Sequence, residues 1–401
     1  MTIRKNIFFS FLAFLAIILT GLMIIYPQAT FTGANHGLKT WVTVLVPALL
    51  PFFIIADILV EIGVVNFLGV LLEPLMRPLF RLPGAAGFVL AMGFTSGFPM
   101  GAVLTNTLYE KDLVKKEEAA RLIAFTNNSS PLFLLVAIPV GMFNNPQLGL
   151  LLLISHYLAN ILLGILLGLL PNSFRKNIGI SARKDNILKK SIQELMKIQR
   201  QVKPLGSILG NSVSKSMQNI FFIGGFVVFF AVLIEVFKVT GIFALLTKLS
   251  AFLISLVGLN QGLGEAVTTG FFEMTLGAQT ASKINASLIE QLMVVSLILG
   301  WSGLSIQAQV SSIAAKNEIP IKFYLCGRIF QGLAAFTLTA LLFKHCVALL
   351  PVFQIKGMNT SPLSIVTYYI ITTKIIFGII GVLLLLSLLI GISKRISLQK
   401  N

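Results

Sequence analysis

Between Gly84 and Leu108 the chain runs for 25 residues without a charge, yet the middle of that run cannot stay helical. Gly93-Phe94-Thr95-Ser96-Gly97-Phe98-Pro99-Met100-Gly101-Ala102 holds three glycines, a proline and two hydroxyls. Proline removes a backbone donor and glycine loosens the chain. Unpaired backbone groups in hydrocarbon cost several kcal/mol each, so such a break survives only where protein or a watery cavity surrounds it. Divided at its middle, the run gives two arms of roughly 15 Å, about half a bilayer. The pattern predicts a re-entrant helical hairpin with Thr95 and Ser96 near its tip.

The setting is a membrane. Of 401 residues, 56% are hydrophobic and 11% charged, and several uncharged runs exceed the roughly 18 residues of a spanning helix. The net charge of +17 is read as basic cytoplasmic loops rather than as affinity for nucleic acid. Cys326 and Cys346 lie in apolar runs with no metal-ligand spacing. No nucleophile–base set, metal cluster or phosphate loop is visible, and neither an enzyme nor a cofactor is expected.

A second copy of the hairpin is expected at Thr268–Ala278, which ends in the same Gly-Ala. Gly63 precedes Gly101 by 38 residues and Gly241 precedes Gly277 by 36, and an acid, Asp57 or Glu235, stands six residues before each leading glycine. Past each Gly-Ala comes another polar break, Thr126-Asn127-Asn128-Ser129-Ser130-Pro131 and Gly300-Trp301-Ser302-Gly303-Leu304-Ser305. The shared order predicts an internal duplication.

The reading is therefore an all-α membrane protein, a polytopic bundle of two inverted repeats, each with a re-entrant hairpin and a broken spanning helix. Its parts are a first transmembrane helix and outer loop (1–40), a first repeat (41–171), a basic cytoplasmic linker (172–217), a second repeat (218–345), and a last helix with a basic tail (346–401). Ile7–Tyr26, with no small-residue cleavage site close behind, is read as a spanning helix; Pro27–Lys39 as a polar loop; Val64–Phe80 as an interfacial segment; and Ile375–Ile392 as the last span. Placing both termini inside puts 24 of the 31 Lys and Arg on the cytoplasmic side, with the two hairpins entering from opposite faces.

The polar groups of the two halves are the candidate site. Asn127, Asn128, Ser129 and Ser130 offer hydrogen bonds beside a helix end, with Thr95 and Ser96 facing them; the second half supplies Thr268, Thr269, Ser302, Ser305 and Gln307. Broken helix ends present free N–H groups and a positive dipole that suit a carboxylate. Glu273, inside the second hairpin motif, is the first candidate for a proton or sodium site or a gate, with Asp57 and Glu235 behind it. Arg121 and Arg328, near predicted cytoplasmic ends, are read as snorkelling to the surface. His156 and Asn160 share one helix face, as a proton relay or an interhelical pair.

Pro47-Ala48-Leu49-Leu50-Pro51-Phe52-Phe53, the Gly93–Ala102 stretch and Phe125-Thr126-Asn127-Asn128-Ser129-Ser130-Pro131 resemble the YlbJ family of sporulation integral membrane proteins, which carry a nucleoside-recognition gate domain. The resemblance runs from about Ile7 to Arg395. It implies a core similar to that of concentrative nucleoside transporters, with two opposed hairpins and two broken helices around a midplane site. It further implies movement of dipicolinate across the outer forespore membrane. The helix break departs from the Gln-Thr-Glu type of nucleoside transporters, which weighs against a nucleoside as cargo. The expected partners are a small-molecule anion such as dipicolinate or else a nucleoside, the lipid bilayer, a coupling Na+ or H+, and further copies of the chain in a homo-oligomer. A scaffold docking a partner through Asn172–Ser216 is the reading from another class.

Overall fold

The computed structural model describes residues 2–131, 133–170, 187–199 and 204–349, and among them the only regular structure is helical. The last predicted span and the basic tail lie outside the described residues, as do residues 172–186 and 200–203 of the linker.

Helix α1 (Thr2–Ile25) is followed after Tyr26 by α2 (Pro27–Thr40). The segment expected as a loop is thus helical, because Pro27 occupies the first helical position, where its missing N–H costs nothing. The two helices meet at 101°. A π-helical turn (Trp41–Leu45) leads into α3 (Val46–Glu61), with Pro47 in its first turn and Pro51 inside it. Widening a turn here is a common answer to proline's lost donor and steric bulk. Gly63, at φ +86°, turns the chain by 95° into α4 (Val64–Phe80).

Helices α5 (Ala86–Ser96) and α6 (Met100–Glu110) are the two arms of the first hairpin, packed on each other and on α7 (Lys116–Thr126). The chain is extended from Asn127, resumes as a π-helical turn at Phe133–Ala137, and then forms the long α8 (Leu148–Leu169). Helix α9 (Ile187–Gln199) packs on α4.

Helix α10 runs from Leu205 to Val239. The expected loop to Ser216 is therefore already helix from Leu205 onward. Gly241, at φ +77°, starts α11 (Ile242–Leu256). Helices α12 (Gly264–Phe272) and α13 (Met274–Lys283) are the arms of the second hairpin and pack on each other. Helices α14 (Leu288–Trp301) and α15 (Gly303–Ala315) meet at Ser302, and α16 is Lys322–Leu349.

Among the described residues, four helices or helix pairs are long and apolar enough to cross a membrane, and up to six if each sharply bent pair is one span. The chain is thus a multi-pass helical membrane protein. In both halves the same order recurs: a left-handed glycine, a helix of 17 or 15 residues, two half-length arms, a broken helix and a long apolar helix. Exposed side chains such as Ile17, Ile24, Leu245, Phe252, Leu256 and Leu341 form the apolar exterior that lipid requires.

Candidate functional site

The first hairpin is built around one carbonyl. A Cβ added at Gly93 would lie 2.1 Å from Thr126 O, and one at Gly101 2.5 Å from the same atom. Gly97, at φ +86°, brings the tip against Ser130, where a Cβ would stand 2.9 Å from that of the serine. The three glycines, each four residues apart, thus let both arms and the tip close on the end of α7. The second hairpin follows the same rule. Gly277 touches Gly270 across the arms, and Gly303, at φ +77°, lies against Phe272, Glu273 and Met274.

Breaking α7 removes its regular backbone bonds, and several of the affected groups find other partners. Ile123 O accepts from Asn127 Nδ2 at 2.7 Å, and Phe125 O from Asn128 Nδ2 at 3.3 Å. Asn127 Oδ1 accepts the N–H of Ala102 at 3.0 Å, which ties the break to the second arm of the hairpin. The helical partner of Asn127 O would be the N–H of residue 131, a proline, which has none. Arg328 of α16 supplies the donors instead, from Nη1 to Asn127 O at 2.9 Å and from Nη2 to Ala124 O at 2.5 Å. Ser129 N–H donates to His156 Nε2 at 3.2 Å, and the Tyr157 hydroxyl is shared between Phe94 O (2.5 Å) and Ser129 O (3.2 Å). Gln331 Nε2 completes the group, 3.5 Å from Asn128 Oδ1 and 3.4 Å from His156 Nε2.

Two expectations are corrected here. Arg328 does not reach the surface: it is fully buried, lies over the Tyr324 ring at 5.1 Å and caps the broken end of α7. Arg121 is also buried, its guanidinium on the carbonyls of Phe80 (3.4 Å) and Arg81 (3.1 Å) at the end of α4. Both place a cation at the negative end of a helix. The backbone carbonyls they meet lie far away in sequence, which no local pattern reveals.

A cavity of about 330 Å³ lies where the two halves meet. Its polar lining is Ser129 and Ser130 from the first break, Glu273 and Thr275 from the second hairpin, Ser305 and Gln309 from α15, and Thr43. Gly97 and Phe98 of the first tip, Pro47, Phe133, Ile223 and Val227 are among its other walls. The first turns of α13 and α15 face it through Met274, Thr275, Ser305 and Ile306. Ser129 Oγ and Met274 Sδ, 4.0 Å apart, join the halves. Glu273 is 5% exposed, and its carboxylate caps α13 by accepting the N–H of Leu276 at 2.7 Å.

Of the predicted site residues, Ser129, Ser130, Ser305 and Glu273 thus share one cavity. Asn127 and Asn128 stand behind it, holding backbone. Ser96 is buried, and its hydroxyl has no partner among the described residues, whereas Thr95 bonds back to Ala91 O and Met92 O. Thr268 and Thr269 bond to Gly264 O and Glu265 O within their own helix. Ser302 and Gln307 both donate to Trp301 O. Thr275 and Gln309 line the cavity without having been singled out in the sequence; Gln309 stands four residues after Ser305, and that spacing was the available signal.

Asp57 and Glu235 lie away from the cavity. Asp57 accepts from Lys215 Nζ at 2.7 Å and Ser212 Oγ at 2.9 Å, and Glu235 pairs with Lys238 at 2.7 Å. With the Lys215 side chain 46% exposed, the first pair is screened. Asp57→Asn is expected to lower stability by no more than about 1 kcal/mol and to leave the cavity unchanged, as thermal melting of the purified protein will check.

The chain is 40% identical over 334 residues to the sporulation integral membrane protein YlbJ of Bacillus subtilis, covering 81% of this chain and 80% of that one. The chain belongs to the YlbJ family of sporulation integral membrane proteins. Residues 42–146 match the gate family, described as nucleoside recognition; that segment holds α3, the first hairpin and the α7 break of this YlbJ-family protein. An uncharacterised protein of Alkalihalophilus pseudofirmus is 35% identical over 98 residues, 23% of this chain and 21% of that one. No solved structure matches the chain.

Proposed function

We propose that this YlbJ-family protein passes a small organic anion across a membrane, with dipicolinate as cargo and the outer forespore membrane of a sporulating cell as its place. The observation that carries the reading is the cavity shared by both hairpins and both breaks. Its volume of about 330 Å³ falls within the roughly 300–1,000 Å³ of small-molecule sites. Two helix N-termini turn toward it, and partial positive charge there favours carboxylates. Serine hydroxyls and Gln309 add neutral donors, and Phe98, Phe133 and Met274 offer apolar walls to a flat ring. A dianion would be repelled by an ionised Glu273, so passage is coupled to a proton or Na+ that neutralises this carboxylate. Both termini lie in the cytoplasm, the two repeats are inserted in opposite senses, and motion of the hairpins opens the cavity to one side at a time. Asp57 and Glu235 brace helices in this scheme.

The gate family's description, nucleoside recognition, supports a second reading, in which the cargo is a nucleoside and its uptake is coupled to an ion. One experiment separates the two. Protein reconstituted in vesicles is expected to take up labelled dipicolinate and to be stabilised by it against heat, with excess uridine leaving both unchanged. Absence of flux and of stabilisation overturns the anion reading; displacement by uridine moves the cargo to nucleosides.

A further inference from the structure

We propose that Arg328 is a positioning residue that keeps the α7 break open and thereby holds Ser130 at the cavity. The proposal rests on the reading of that cavity as the cargo site. Asn127 O has no helical donor available, because residue 131 is proline. Ala124 O would regain one, the N–H of Asn128, if α7 wound on by a turn. Arg328 removes that incentive by giving one N–H of its planar fork to each carbonyl, at 2.9 and 2.5 Å. Its charge sits at the negative end of α7, and no carboxylate among the described residues forms an ion pair with it. Burial without an acidic partner is costly for a guanidinium, so a helix end is the main compensation this site provides.

The neighbours fit the same role. His156 accepts the Ser129 N–H, which a continuous helix would direct to Phe125 O, and Asn128 Nδ2 already fills Phe125 O. Arg328 and Gln331 of α16 face Asn160 and His156 of α8 in two rungs, at 3.5 and 3.4 Å. The break is therefore clamped from outside by two long helices, and the clamp on its carbonyls comes from the other half of the chain. Loss of Arg328 leaves rewinding of α7 as the nearest relief, which draws Asn127–Ser130 into a helix and takes Ser130 off the cavity wall.

The test needs no cargo. In full-length protein with Cys326 and Cys346 replaced by serine, Ser130→Cys provides a thiol at the cavity, and its rate of labelling by a small methanethiosulfonate is measured. Adding Arg328→Gln is expected to slow labelling at least tenfold. Adding Arg328→Lys, which keeps the charge and can still reach a carbonyl, slows it only severalfold and serves as the deciding variant if Arg328→Gln does not fold. An unchanged rate in a folded variant overturns the proposal. So does a faster one, which is the mark of general loosening. Failure of the parent protein to move dipicolinate would sink the cargo reading and leave these labelling rates as they are.

Discussion

Gly93→Ala is expected to prevent the first hairpin from closing, and Gly101→Ala to do nearly the same. Their added methyls would stand 2.1 and 2.5 Å from Thr126 O, a backbone atom that no rotamer change can move aside. Overpacking costs about 1–3 kcal/mol and more where neighbours cannot yield, so the upper end is expected here, seen as a large fall in melting temperature or as failure to accumulate. The two substitutions share one neighbour. Once either has pushed the arm away from α7, the second meets less resistance, so the double variant should be less destabilised than the sum of the singles. Gly225→Ala is the control: beyond its own helix, an added Cβ would meet nothing within 4 Å among the described residues, and alanine inside α10 should stabilise by about 0.5–1 kcal/mol. Equal losses at all three glycines would refute the close-approach account.

Glu273 separates folding from transport. In Glu273→Gln the amide oxygen can still accept the Leu276 N–H, now at 2.7 Å from the carboxylate, so the second hairpin keeps its cap and the melting temperature stays close to that of the parent. Glu273→Ala removes the cap and is expected to cost about 1–2 kcal/mol. Under the proposed coupling, both variants carry cargo without dependence on a proton or sodium gradient, or with flux lowered at least tenfold. Proteoliposome uptake measured with and without each gradient decides this. If the glutamine variant shows the parent's rate and the parent's gradient dependence, Glu273 is a helix cap and nothing more.

What the sequence discloses about this protein follows from the range of each interaction. Glycines at 93, 97 and 101 and the proline at 99 act on the backbone directly, so the hairpin is legible from them. The start of the Val64–Phe80 helix is set in the same way by Gly63, whereas its end at Arg81, in the left-handed region at φ 51°, is not signalled by that residue's type. Pro27 was harder, since proline signals a loop as readily as the first turn of a helix. Asn127 and Asn128 show the limit most clearly. An asparagine in an apolar run must satisfy something, but residue identity does not say whether cargo or backbone. Here both side chains meet carbonyls of their own helix, and the hydroxyls of Ser129 and Ser130 are left near the cavity. Arg328 was illegible because its partners lie 201 and 204 residues away.

The 35 residues of α10 amount to a rod of roughly 52 Å, well beyond the roughly 30 Å of hydrocarbon. Ile223 and Val227 on this rod form part of the cavity wall, while Ser212, nearer its start, is bonded to Asp57. A stiff helix carries rotation along its axis. Any twist that reshapes the wall at Val227 therefore reappears at Leu205–Gly210, where a Cβ at Gly206 or Gly210 would meet nothing within 4 Å among the described residues. That outlying turn is a natural place for a spectroscopic label that follows the interior from a distance.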